Sequence, residues 1–490
     1  MRAIPNVAGQ DAKKGLLGDS QMPVFPIRVS PKVRPALDPD FLPASLWNGC
    51  YRARVREGGK QVPLAIALEG TDGSVSVFRT AVLPHEGPNK PVNERYVERV
   101  LKFLLWQKGG FRVMISGDPE IAGFVRNTYS PEGKRAFDFH FMGDRVYGRR
   151  MIVEPVDFNR LPSENETTVT LGRHFEGCRI GFDLGASDMK LAAVADGKVV
   201  FTDEVAWDPS SQADPQYHFH GINDLLRRAA RHLPRVDAIG GSAAGIYVGN
   251  EVRVASLFRG VPQDLFDRRV RRLFFDLKEA WGGIPFTVVN DGEVTALAGS
   301  MEFNDNAVLG IALGSSLAAG YVTPRGNITS WLNELAFVPV DYRADGPIDE
   351  WSGDEGVAVQ YLSQQAVARL LPVAGIDLPK GMPLAARLSE VQKLMMAGDE
   401  RAMLIYRTIG VYLGYALALF RDYYEIRNLL VLGRVMTGEG GEVILSMAGE
   451  VLKAEYPELA ATIQMRTPDE RERRHGQAVA AASLPILKEV

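Results

Sequence analysis

Two stretches of this 490-residue chain carry the same seven-residue wording. Gly181 to Ser187 reads GFDLGAS and Gly310 to Ser316 reads GIALGSS, so Gly-x-x-Leu-Gly-x-Ser stands between two apolar runs each time. Small residues at a tight turn leave backbone N–H groups unobstructed, and a cluster of such donors suits a phosphate. The candidate donors are Gly185, Ala186 and Ser187 in the first copy and Gly314, Ser315 and Ser316 in the second. Asp183 stands at the mouth of the first turn, where a carboxylate would help hold a hydrated Mg2+. The second copy has Ala312 in its place. One turn therefore brings an acid and the other only donors, as expected if two lobes grip one metal-nucleotide from opposite sides. A third candidate is Asn290-Asp291, which closes the apolar run Phe286 to Val289 and should project from a strand end into a cleft. Taken alone, Asn-Asp-Gly is also a turn signal.

The elements that position these residues are legible in outline. Ile180, Phe182 and Leu184 alternate as in a strand, Met189 to Ala195 returns, and Asp196-Gly197 turns again. Downstream of residue 176, strand-like segments alternate with helices such as 222–233 and 401–420, which argues for a mixed α/β architecture with covered sheets. Small residues from Gly240 to Gly245 suit a close backbone turn, and Gly249-Asn250 suits a hairpin. The first third has a different texture. Residues 1–45 hold six prolines from Pro23 to Pro43 and should form an extended arm. Residues 46–172 read as a small α+β domain. Pro63 to Val82 is a hairpin about Asp72-Gly73, and a helix capped at Asn93 runs to Gly109. A strand then leads to a helix capped at Asp118, and a second hairpin alternates Phe137, Phe139 and Phe141 before Gly143-Asp144. No chemistry is evident in this unit.

Composition bounds the function classes. Hydrophobic residues make up 46% and charged residues 24%, with a formal net charge of −4. That balance builds a large core and supplies no basic field for nucleic acid or an anionic membrane surface. No apolar run is read as approaching the roughly 18 residues of a membrane span. The first twenty residues lack an apolar signal region, so a cytoplasmic location is expected. Cys50 and Cys178, the two cysteines, lie far apart, which argues against a disulfide framework and a thiolate zinc site.

Four segments in order, FDLGASDMK (182–190), VVNDGEVTAL (288–297), IALGSSLAAGYV (311–322) and LLVLGRVMTGEGG (429–441), resemble the phosphate-1, catalytic, phosphate-2 and adenosine segments of the actin/hexokinase/heat-shock-chaperone ATPase superfamily. Their wording is most similar to the ROK family of repressors and sugar kinases, from about residue 176 to the end. The resemblance implies a two-lobed ribonuclease-H-like α/β fold, with lobes at 176–305 and 306–490 beside the additional N-terminal domain. It implies ATP and Mg2+ as cofactors and a sugar or polyol as partner, with a homodimer left open as the assembly. Asp291 would be the base that takes the acceptor's proton, and Asn290 and Glu334 would contact sugar hydroxyls. Gly433 and Arg434 would lie at the nucleotide, as would Lys190, which could instead face solvent on the returning strand. Around Glu334 the family's Gly-Glu-x-Gly-His wording is altered: Asn333, Ala336 and Phe337 replace both glycines and the histidine. Residues 350–362 keep Gly353 and Gly356 of the family's zinc loop without any cysteine, so no zinc is expected and packing should hold the loop. A sugar-sensing regulator of the same fold is the alternative, although no basic recognition helix follows residues 97–110.

Overall fold

The computed structural model describes residues 27–166, 168–169, 172–467 and 476–487. The first 26 residues of the arm, including Pro23, and His475 of the closing segment lie outside them. In the N-terminal unit, β1 (Val62–Glu69), β2 (Val75–Val82), β3 (Arg112–Ser116) and β4 (Ile152–Pro155) form a sheet ordered β2-β1-β3-β4. The hairpin about Asp72-Gly73 forms as expected, and Gly73 takes a left-handed φ of 81°. Asp118 caps the helix Pro119–Thr128 through the N–H groups of Glu120 and Ile121.

Two expectations here are corrected. The long helix spans Lys90–Lys108, with proline in its first turn. Asn93 is therefore inside it, buried, accepting from the Tyr51 hydroxyl (2.7 Å) and donating to the Leu83 carbonyl (2.8 Å). The predicted second hairpin is instead helical, Ala136–His140 continuing into Phe141–Tyr147. Phenylalanines at i, i+2 and i+4 fit a strand, but i and i+4 also share one helix face. Phe137 and Phe141 use that face to stack on Trp106, with ring centroids at 6.4 and 5.1 Å.

After a short β5 (Thr168–Val169), the first lobe builds β6 (Cys178–Leu184), β7 (Asp188–Ala195), β8 (Lys198–Ala206), β9 (Ala238–Ala243), the hairpin β10 (Ile246–Val248)–β11 (Glu251–Val254), and β12 (Phe286–Asn290). Its sheet runs β12-β9-β6-β7-β8. The second lobe repeats the plan with β13 (Val308–Leu313), β14 (Leu317–Val322), β15 (Ile328–Thr329), β16 (Asn428–Leu432) and β17 (Gln464–Arg466), ordered β17-β16-β13-β14-β15 with β5 added at the edge. In each lobe an antiparallel meander is followed by two parallel strands. This is the two-lobed ribonuclease-H-like plan.

The lobes exchange helices. Asp291–Glu302 leaves β12 of the first lobe and packs on the second lobe's sheet, where the Gly292 carbonyl would lie 2.0 Å from a Cβ on Gly320. The closing helix Gly476–Ala482 packs on the first sheet, where a Cβ on Gly240 would meet the Ala481 carbonyl at 1.7 Å. Gly240 and Gly241 therefore belong to β9 rather than to the expected turn, which falls at Gly245 (φ 133°). Gly240→Ala is expected to push the closing helix off the sheet and cost about 1–3 kcal/mol, as overpacking does. Faster hydrogen exchange across 476–482 would report it.

The N-terminal unit and the second lobe share one hydrophobic core that runs through Trp47, Trp106, Leu335, Tyr361 and Phe420, whereas the first lobe has its own. Against the expectation that no apolar run approaches a membrane span, the helix Glu400–Arg421 in this core is long and apolar enough to cross one, with 83% of its most apolar window buried inside the protein.

Candidate active site

Parallel pairing brings the carboxyl ends of β6, β9 and β12 side by side, with Asp183 opposite Ser242 and Ala243 opposite Asn290. Ligands of open α/β sheets bind beyond such strand ends. Asp183 is buried, and its Oδ1 accepts the Ser242 hydroxyl at 2.7 Å. Burial raises the Asp183 carboxyl above its ordinary range, and the Ser242 bond and Lys190 act against that. Lys190 Nζ lies 3.1 Å from Asp188 and 3.9 Å from Asp183, so in this structure it pairs with the turn's own carboxylates.

Both glycine-led turns leave their tips, Ala186-Ser187 and Ser315-Ser316, exposed. In the first, Trp207 occupies the carbonyls: its indole donates to Gly185 at 2.8 Å and its amide to Ser187 at 3.1 Å. The Ser187 hydroxyl donates to Asp188 (2.9 Å). Among the described residues, neither Ala186 nor Ser187 donates its N–H to a backbone carbonyl, and the same holds for Ser315 and Ser316. No hydrogen bond joins the two tips among the described residues. The Gly314 carbonyl accepts from Gln364 N–H at 2.8 Å, and Gly433, at φ 102°, packs where a Cβ would lie 2.5 Å from the Leu313 carbonyl. The second turn and the adenosine-segment glycine are thus neighbours, with Arg434 exposed beside them.

Asn290 caps the crossing helix. Its Oδ1 accepts Gly292 N–H at 2.7 Å and its Nδ2 donates to the Gly245 carbonyl at 2.6 Å, leaving one N–H uncommitted to these bonds. Asp291 follows, half-buried at the helix N-terminus. Desolvation, with the Asp183 charge adding to it, pushes its carboxyl up to about 6. Glu334, half-buried opposite, is pushed up to about 8 by burial and by Asp291. Among the described residues no three His, Cys, Asp or Glu side chains cluster as a protein-only metal cage. Magnesium commonly takes one or two carboxylates plus water and substrate phosphates, and Asp183, at the mouth of the first turn, fits such a site.

The altered segment has a physical account. Asn333 sits at φ 49°, a conformation that asparagine tolerates best after glycine. Phe337 packs between Trp106 (4.5 Å) and Trp351 (4.8 Å), so an aromatic contact with the N-terminal unit replaces the family's imidazole. That unit also holds the segment's backbone. Asn333 and Glu334 donate their N–H groups to the Gln107 and Trp106 carbonyls, both at 2.9 Å, satisfying acceptors at the end of helix 90–108.

Sequence reasoning missed Glu293 and Ser242. Glu293 accepts from Asn333 Nδ2 at 2.5 Å, and burial raises its carboxyl to about 8. A glutamate two residues after a candidate base was a visible signal; its burial was not. Because its folded pKa is raised, Glu293 favours folding fully below its unfolded pKa near 4.5, and that contribution is lost as pH rises toward 8. Glu293→Gln is expected to remove this residue's share of the slope, about 1.4 kcal/mol per pH unit inside this window, while the raised Glu334 and Asp291 keep theirs. Unfolding midpoints of the variant and the parent, compared at pH 5 and pH 8.5, would show it.

No family model matches the chain, and no curated protein matches it. Solved structures do. A ROK hexokinase from Thermus thermophilus aligns with a TM-score of 0.50 at 17% identity, over 63% of this chain and 97% of its own. A ROK-family glucokinase from Streptomyces griseus in complex with glucose and AMPPNP aligns at 0.44 and 21%, over 63% and 99%. A ROK-family transcriptional regulator homologous to the E. coli MLC protein aligns at 0.49 and 15%, over 63% and 78%. The chain thus has the two-lobed fold of a ROK hexokinase, and the match stops short of its N-terminal part.

Proposed function

We propose that this chain is an ATP- and Mg2+-dependent phosphotransferase acting on a hydroxyl of a sugar or sugar-like polyol, with Asp291 as general base. The observation that carries the reading is the state of Asp291: a half-buried carboxylate at a strand end, raised to about 6 and faced by a second acid. A base tuned to that value is ionised at neutral pH and still accepts a proton readily. Its carboxylate takes the hydroxyl proton as the oxygen attacks the terminal phosphorus of ATP, whose bond to the bridging oxygen breaks and releases ADP. Glu334, protonated near neutrality, donates to a neighbouring sugar oxygen, and the uncommitted N–H of Asn290 is placed to do the same. The free amides of the two turns bind the polyphosphate. Magnesium, held through Asp183 and water, would neutralise phosphate charge.

The test is ATP consumption across a panel of sugars, aminosugars and inositols. Stimulation by one of them supports the reading. Sugar binding without turnover, together with retention on a DNA column, would replace it with the regulator.

A further inference from the structure

A cavity of about 610 Å3 lies where the β1–β2 turn, the β10–β11 hairpin, β12 and Trp331 meet. It adjoins the candidate base. Asn290, the residue before Asp291, lines it, and so does Tyr247, whose hydroxyl is raised by burial and by the Asp291 charge. Its outer wall is built by the N-terminal unit, through Thr71, Ser74 and Ser76. The volume falls within the roughly 300–1,000 Å3 of small-molecule sites.

Its charges are already satisfied. Lys108 bonds to Glu166 at 2.6 Å and lies 3.2 Å from the centroid of the Trp331 ring. Asp72, exposed at the rim, accepts the Ser74 N–H and hydroxyl at 3.0 and 2.5 Å. Glu293 is buried and accepts from Asn333 Nδ2 at 2.5 Å. Among the described residues that line the cavity, Lys108 is the cation and is already paired, so an anion would find no free cation there. An uncharged group rich in hydroxyls would find the side chains of Thr71, Ser74, Ser76 and Thr287.

We propose that this cavity is a second compartment of the acceptor site, taking an uncharged, hydroxyl-bearing group joined to the sugar at Asp291. The acceptor is then a glycoside or disaccharide rather than a free monosaccharide, and the N-terminal unit selects it. The proposal rests on the phosphotransferase reading for the position of the reacting sugar. Asn290 lines the cavity but neither Asp291 nor Glu334 does, so a ring held by those two acids lies beside the cavity rather than filling it.

The experiment is calorimetric titration of the full chain with glucose, N-acetylglucosamine, maltose, cellobiose and sucrose, with ATP turnover measured in parallel. At least one disaccharide is expected to bind tenfold or more tightly than glucose. Thr71→Trp, at a half-exposed turn position, should cut that ratio at least tenfold, and Ser76→Trp should do the same from the adjacent strand. Circular dichroism confirms that each variant is folded. Equal or weaker disaccharide binding, or a ratio that neither folded variant changes, overturns the proposal. Disaccharide preference without ATP turnover supports the compartment and overturns only the phosphotransferase. No binding of any of these sugars overturns the compartment and leaves the phosphotransferase to the wider panel of aminosugars and inositols.

Discussion

Asp291→Asn is expected to lower kcat about 10²–10⁴-fold, the usual share of general-base assistance. The amide keeps the shape of the carboxylate and can still accept the Gly292 N–H that the parent side chain accepts at 3.0 Å. It cannot take a proton. Nucleotide affinity should change little, because the donors assigned to phosphate lie on the two turns. The pH profile gives an independent readout. In the parent, kcat/KM should be level between about pH 6 and pH 8 and fall tenfold per unit below pH 6, as Asp291 becomes protonated with a midpoint near 6. The residual rate of the variant should lack that limb. Ionisation of Glu334 above about pH 8 adds a second negative charge beside the base, so an alkaline limb is expected that Glu334→Gln removes. Retention of a tenth or more of the parent rate in Asp291→Asn would sink the assignment.

The second large effect concerns the segment expected to be held by packing alone. Asp354, in the loop matching the family's zinc site, is 3% exposed and surrounded by cations. Arg99 lies at 3.2 Å, Lys102 at 3.3 Å, and Arg135 also pairs with it. Glu98 and Asp138 complete the cluster, bonded to Arg99 (2.7 Å) and Lys102 (2.6 Å). Three acids balance three bases. Burial alone would raise the Asp354 carboxyl, and Arg99 and Lys102 outweigh it, leaving the carboxyl below its ordinary value. Gly353 and Gly356 turn the loop at left-handed φ of 68° and 71° so that Asp354 can enter. An ionic cluster anchored on the N-terminal unit thus holds this loop.

Asp354→Ala leaves three buried cations facing two carboxylates and is expected to cost about 3–5 kcal/mol, the range for breaking a buried pair from one side. Urea unfolding followed by tryptophan fluorescence should show a lower midpoint. The charge-balanced double variant Lys102→Met/Asp354→Leu should recover most of the loss, because apolar replacement of a buried pair is often neutral. A single-variant loss below about 1 kcal/mol would mean that solvent screens the cluster as it screens a surface pair.

The repeated hairpins, the strand that ends at Asn290-Asp291 and the hairpin about Asp72-Gly73 were legible because turns and alternation are local, whereas the helix Asp291–Glu302 that crosses to the other lobe was not read. The segment Ala136–Tyr147 was not, since its phenylalanine spacing satisfies two periods, and the partner that chose between them, Trp106, lies 30 residues away. Asn93 misled for a related reason: a capping residue type also serves as a buried hydrogen-bond hub.

The sequence by itself determined a duplicated strand–turn–strand plan, with an acid in one copy and a second acid at a strand end. It did so through glycine, alternation and short-range order. Only the tertiary structure decided that helix 90–108 holds the backbone of Asn333 and Glu334, that six charges from residues 98 to 354 share one buried site, and that Asp291 titrates near 6. Each depends on groups far apart in the chain being desolvated together. Periodicity reports that a residue is buried, but its partners follow from the packing of whole elements.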